Sequence, residues 1–169
     1  TVGECWHVLK QFCVTGLSIS VRGHSLCQVW YHCRHMATIF SKIIGREIPG
    51  HFIYEDDMCV VIMDKYPAVP GQSMVILKRE IEYIFDVDDA EYNHLFTIAK
   101  KVAQASDRAL NVERSCLVVE GLEVPHVHLK IYPLPAGATS LSEVMGKKAE
   151  AEDSRLAELA LKIKSHLAG

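Results

Sequence analysis

Between residues 51 and 78 three strand-like runs, "HFIYEDD", "MCVVIMD" and "SMVILK", follow one another with only turn sequence between them. Asp56-Asp57 is read as a hairpin turn and "YPAVPGQ" as a proline-rich loop. Parallel neighbours would need a crossover, usually a helix, and none is present here, so the segment is predicted to be an antiparallel meander. A doubly wound parallel sheet is disfavoured for the same reason. A short helix over "TIFSKII", stopped by "REIPG", precedes the meander. After it, Tyr92, Leu95, Phe96, Ala99, Val102, Ala103 and Leu110 recur by threes and fours, predicting a helix from Asp88 to Leu110. Asp88 with Glu91 three residues on has the spacing of a capping box. Two more strands, "CLVVEG" and "HVHLKIY", follow, and then a C-terminal helix with Leu156, Leu159, Ala160, Ile163 and Leu167 on one face. This order predicts an α+β domain built on a mainly antiparallel sheet of about five strands.

With 169 residues, 49% of them hydrophobic, the chain suits one domain with a sizeable core. A net charge of -3 provides no basic field, so nucleic acid is not an expected partner. No run reaches the roughly 18 to 20 apolar residues of a membrane span, and a cytoplasmic protein without a membrane partner is expected. Of six cysteines, Cys59 and Cys116 lie in strand-like runs where a reduced, buried thiol behaves as a small hydrophobe. Residues 1–35, with Cys5, Cys13, Cys27 and Cys33, lack a sustained period and carry one acid, Glu4. They are read as a poorly ordered N-terminal extension ahead of a domain spanning residues 36–169, with Met36 as a natural start. A weakly basic targeting leader and a zinc site from Cys27, His32, Cys33 and His35 are the alternatives, and neither is assigned.

The segment "EVPHVHLKIYPL" carries the chemistry. Residues two apart on a strand share a face, so His126, His128 and Lys130 project together while Val127, Leu129 and Ile131 turn to the core. Pro125 enters the run rigidly, and Gly121 allows a tight turn ahead of it. A solvated polar face is the plain alternative. Zinc is another, but it needs further ligands from His51, His94, Cys59 or distant carboxylates. A neutral imidazole can attack an electrophilic phosphorus, and nearby donors can stabilise the phosphoryl oxygens.

"PHVHLKIYP" resembles the active-site strand of the histidine triad (HIT) family, whose pattern alternates three histidines with apolar residues. "TIFSKIIGREIPG", "YEDD" and "VVIMDKYPAVPGQSMVILKRE" are similar to the family's opening helix, first hairpin, and aspartate-bearing strand, loop and next strand. The shortened "VEGLEVPHVHLKIYPL" looks most like a bacterial-type subgroup of the Hint-like branch. The resemblance implies a HIT-like fold and a nucleotide hydrolase or nucleotidyl transferase, of the phosphoramidase or dinucleoside polyphosphate hydrolase type. It implies that His128 attacks the α-phosphate and forms a nucleotidyl-histidine, with His126 in support. Asp64 would accept bonds from the ribose hydroxyls, and Phe40, Ile43 and Ile62 would line the base pocket. AMP- or GMP-type nucleotides are the implied ligands, a homodimer the implied assembly, and neither metal nor cofactor is required.

Three positions depart from the family pattern. Lys130 replaces the third histidine; it offers charge but, when protonated, cannot take up and pass on a proton. A surface lysine that takes no part is the alternative. Gln72 stands where many relatives have histidine. Leu122 and Glu123 replace the polar residues ahead of the triad, and an acid facing the site would repel phosphate. A catalytically weakened nucleotide-binding or regulatory protein is therefore the second reading.

Overall fold

The computed structural model describes residues 37–146 and 148–167, together with the backbone of two short strands, β1 (Ser20–Val21) and β2 (His24–Ser25), which pair antiparallel. The chain divides into two units, Thr1–Ala37 and Thr38–Gly169. Apart from β1 and β2, residues 1–36 lie outside the described residues, and with them the expectations of a poorly ordered extension and of zinc at Cys27, His32, Cys33 and His35.

The second unit opens with α1 (Ile39–Ile44) and continues into β3 (Phe52–Glu55), β4 (Cys59–Met63) and β5 (Ser73–Leu77). The long helix α2 (Asp89–Leu110) comes next, then β6 (Ser115–Val119), β7 (His128–Pro133), the short α3 (Ser142–Met145) and α4 (Asp153–Ser165). The five strands form one antiparallel sheet in the order β3-β4-β5-β7-β6, as the meander and the α+β reading require. A register shift between Phe52 and Tyr54 bends the first hairpin.

Local chemistry sets the ends of both helices that matter for the site. The Asp88 side chain accepts from the Glu91 amide at 3.0 Å and caps α2, while Asn111 closes it in the left-handed conformation at φ 55°. Thr38 caps α1 by accepting from the Ser41 amide at 3.1 Å. Within the second unit two elements were not expected: a 3₁₀ turn at Ile84–Asp86 and α3, both too short to show a period.

Every residue of β4, β5 and β7 is buried, so both faces of the central sheet are covered. On one face Val61, Val75, Leu77, Leu129 and Ile131 pack with Leu95, Val102, Leu156 and Ile163 of α2 and α4. On the other, Val60, Ile62, Met74 and Ile76 pack with Phe40 and Ile43 of α1. Each side chain of this size contributes about 1.5–3 kcal/mol when fully buried. The loop from β4 to β5 turns at Gly71, whose φ of 83° suits glycine, and a Cβ there would lie 2.3 Å from Leu110 Cδ1. Among the described residues no helix is long and apolar enough to cross a membrane.

Candidate active site on the α1 face of the sheet

β7 begins at His128 rather than at His126, because the Val127 amide leaves the ladder and donates to the Ile81 carbonyl at 2.7 Å. His126 and His128 nonetheless flank the same ring: Phe40 of α1 lies edge-on to both, with centroids 5.8 and 4.9 Å away. Backbone carbonyls assign the protons of the two imidazoles. His126 Nε2 lies 2.6 Å from the Leu77 carbonyl, which can only accept, so Nε2 carries the hydrogen. Its Nδ1 then accepts from Thr38 Oγ1 at 2.8 Å. His128 Nδ1 lies 2.7 Å from the His126 carbonyl and is the protonated nitrogen, which leaves the lone pair on Nε2.

Burial pushes both histidines below their ordinary range, and the carbonyl bonds only partly offset it. The Lys130 charge pushes His128 further down and Glu120 pulls it back. At neutral pH the site therefore holds an uncharged imidazole with a free lone pair, the form a nucleophile at phosphorus needs.

Lys130 is 4% exposed, which rules out the surface-lysine alternative. Strand register puts Ile62, Met74, Lys130 and Val118 level across four strands, with Val60, Ile76 and His128 in the next row. The lysine thus shares the His128 face as the period of two predicts. Its ammonium is bound by Glu120, and Glu123 lies 3.6 Å away. Glu123 is in turn held by Lys148 at 3.0 Å, and that bond, with the Lys130 charge behind it, keeps its carboxyl below the usual range.

Asp64 follows β4, beyond the Ile62 row. One carboxylate oxygen accepts from the Tyr66 amide at 2.9 Å, and the other from Gln72 Nε2 at 2.5 Å. Gln72, fully buried, also accepts from the Ala68 amide at 2.7 Å through Oε1. It clamps the loop that presents Asp64. Ile43 and Ile62 join Phe40 in one buried apolar cluster. Gly121 has a φ of 76°, so the turn ahead of the histidines does need glycine.

Thr38, Glu120 and Tyr132 were not anticipated. Tyr132 extends the His128–Lys130 face by the same period and could have been found that way; its buried hydroxyl has no hydrogen-bond partner among the described residues, and burial pushes it upward. Thr38 and Glu120 reach the site through tertiary contacts that leave no local signal. Zinc ligation by His126 and His128 gains no support from Cys59 and His94. Both lie on the α2 side, within 4.8 Å of each other and of Asp56, whose carboxylate already accepts from the Met58 and Cys59 amides, Tyr54 and His94. Burial and Asp56 push the Cys59 thiol up to about 12, so it is protonated.

Residues 45–135 match the model of the HIT domain. An uncharacterized HIT-like protein of Synechocystis is 37% identical over 101 residues, spanning 56% of this chain and 87% of its own. Another, of Borreliella burgdorferi, is 30% identical over 102 residues, spanning 56% and 73%. Among solved structures, a hypothetical histidine triad nucleotide-binding protein from Sulfolobus tokodaii is similar with a TM-score of 0.67 at 27% identity, over 76% of this chain and 91% of its own. A HIT-like protein from Bartonella henselae gives 0.66 at 27% identity, over 76% and 95%.

Proposed function

This chain belongs to the HIT domain family, and on that premise we propose that it hydrolyses or transfers nucleotides at the α-phosphate through a nucleotidyl-histidine at His128. The observation that carries the reading is the His128 tautomer: Nδ1 is committed to the His126 carbonyl, so the lone pair stands on Nε2. In the first step the Nε2–P bond forms and the bond from phosphorus to the leaving group breaks. In the second, water attacks phosphorus, the P–Nε2 bond breaks, one proton passes to solvent and a nucleoside monophosphate is released. His126 is a positioning residue that ties this segment to β5 and α1. Asp64 is the ribose ligand, Phe40, Ile43 and Ile62 line the base site, and Lys130 supplies charge near the phosphoryl oxygens.

Substrates are nucleoside 5′-monophosphates joined to a leaving group by an amide, ester or anhydride, a class that includes phosphoramidates and dinucleoside polyphosphates. Bacterial relatives and the shortened segment before His126 support a bacterial-type, Hint-like placement. A homodimer and a reducing cytoplasmic setting belong to the same reading.

The test is nucleoside monophosphate release with quenched-flow capture of the adduct. His128→Ala is expected to abolish both turnover and adduct, while Asp64→Ala chiefly raises KM. Equal activity in wild type and His128→Ala would sink the proposal. The Glu120–Lys130 pair favours a second reading, a binding protein with weakened catalysis, because it neutralises the cation at the third position. In that case calorimetry shows AMP or GMP binding with no turnover.

A further inference from the structure

Four side chains run in a hydrogen-bonded line from the interior to the surface. His126 Nδ1 lies 2.8 Å from Thr38 Oγ1, Thr38 Oγ1 lies 3.1 Å from Ser41 Oγ, and Ser41 Oγ lies 2.9 Å from Glu80 Oε2. His126 is fully buried, Thr38 and Ser41 are half-buried, and Glu80 is exposed. The hydrogens along this line can be counted. Each hydroxyl carries one, the carboxylate carries none, and Nδ1 carries none because the ring proton sits on Nε2 against the Leu77 carbonyl. Three links therefore share two hydrogens. With Thr38 donating to His126 and Ser41 to Glu80, the two hydroxyl oxygens face each other with no hydrogen between them. One further proton completes the line: Nδ1 donates to Thr38, Thr38 to Ser41 and Ser41 to Glu80. Thr38 Oγ1 then accepts from Nδ1 and from the Ser41 amide, which uses both of its lone pairs. No heavy atom has to move, and a charged His126 has both N–H groups paired.

Negative charge arriving on this face favours that proton. Lys130 is already matched by Glu120, so it leaves part of a phosphoryl charge unanswered. Burial opposes a charged His126 while the Glu80 carboxylate favours one; His128 beside it is neutral, and Phe40 and Leu77 present a ring edge and a carbonyl. A charge on His126 also holds His128 in its neutral, nucleophilic form. Building on the reading in which a phosphoryl group docks beside His128, we propose that Ser41 and Glu80 are positioning residues which, with Thr38, let His126 take one proton from solvent as that group binds. The site thereby gains a cation in place. The transfer balances: the proton enters at the Glu80 carboxylate, each hydroxyl accepts one hydrogen and passes on its own, and Nδ1 keeps the last.

The test uses the full chain with nitrogen-15-labelled histidine and adenosine 5′-methylphosphate, whose single negative charge does not titrate near neutral pH. Calorimetry in buffers of differing ionisation enthalpy counts the protons taken up on binding. Imidazole NMR shows which ring receives them, with His126→Gln identifying the His126 signals. Wild type is expected to take up a large part of one proton, on His126 Nδ1. Glu80→Gln keeps an oxygen for Ser41 to donate to but removes the charge, and Ser41→Ala breaks the line; both should lose most of the uptake. In the free protein Glu80→Gln should also move the His126 titration to lower pH. A Glu80 that merely braces α1 would change neither. Binding without uptake, uptake on His128, or the same uptake in both variants overturns the proposal. If wild type does not bind the ligand at all, the nucleotide reading itself has failed and this inference falls with it.

Discussion

His126 and His128 stand two residues apart, yet their protons sit on different ring nitrogens, because each ring meets a different backbone carbonyl. Of the two, His128 keeps an uncommitted lone pair, so in the proposed mechanism it is the nucleophile and His126 the fastener. The pattern of alternating residues was enough to put His128 and Lys130 on one face, but not to give either tautomer, since the carbonyl of Leu77 lies 49 residues from His126. Nor does the pattern disclose that Lys130 is held by Glu120. A prediction about acidity belongs at this level. The reactive form of His128 is neutral, and burial lowers its folded-state value below 6.5. The acid limb of kcat/KM, which reports the free enzyme, should therefore lie below pH 6.5. The same inequality means that the unfolded chain binds protons first as pH falls, so stability declines from about 6.5 down through the folded value. A pH–rate profile with its midpoint above 6.5 contradicts this.

Elements with a long period were legible: α2 was recovered with its cap, and the meander with its order, because Asp88 and the proline-rich loop carry their own local chemistry. α1 was legible as a helix but not as part of the site. Its first residues matter in two ways at once, since Thr38 Oγ1 accepts the Ser41 amide and donates to His126 Nδ1. Thr38→Ala should cost about 2 kcal/mol, combining a lost helix cap with an unpaired buried nitrogen. It should also slow turnover by letting His126 move. Thr38→Ser keeps the hydroxyl and should recover most of both losses. Urea denaturation beside steady-state rates checks this; a loss of stability with unchanged kcat would confine Thr38 to capping.

For the whole molecule the exposed border of the sheet is decisive. β6 ends the strand order, none of its residues is buried, and Leu117 is 42% exposed. An open edge of this kind invites pairing with a second strand, and the proposed homodimer would use β6 together with α2. Sedimentation equilibrium should give twice the chain mass for wild type and a shift toward monomer for Leu117→Glu. A wild-type monomer at micromolar concentration removes the dimer. The long separation between Thr38 and His126, 88 residues, has a kinetic consequence. β3, β4 and β5 pair through short loops, whereas joining β5 to β7 and α1 to His126 requires much longer closures, and such contacts form late. On refolding from urea, strand signal should return ahead of adduct formation at His128, so chemical competence trails the pairing of the meander.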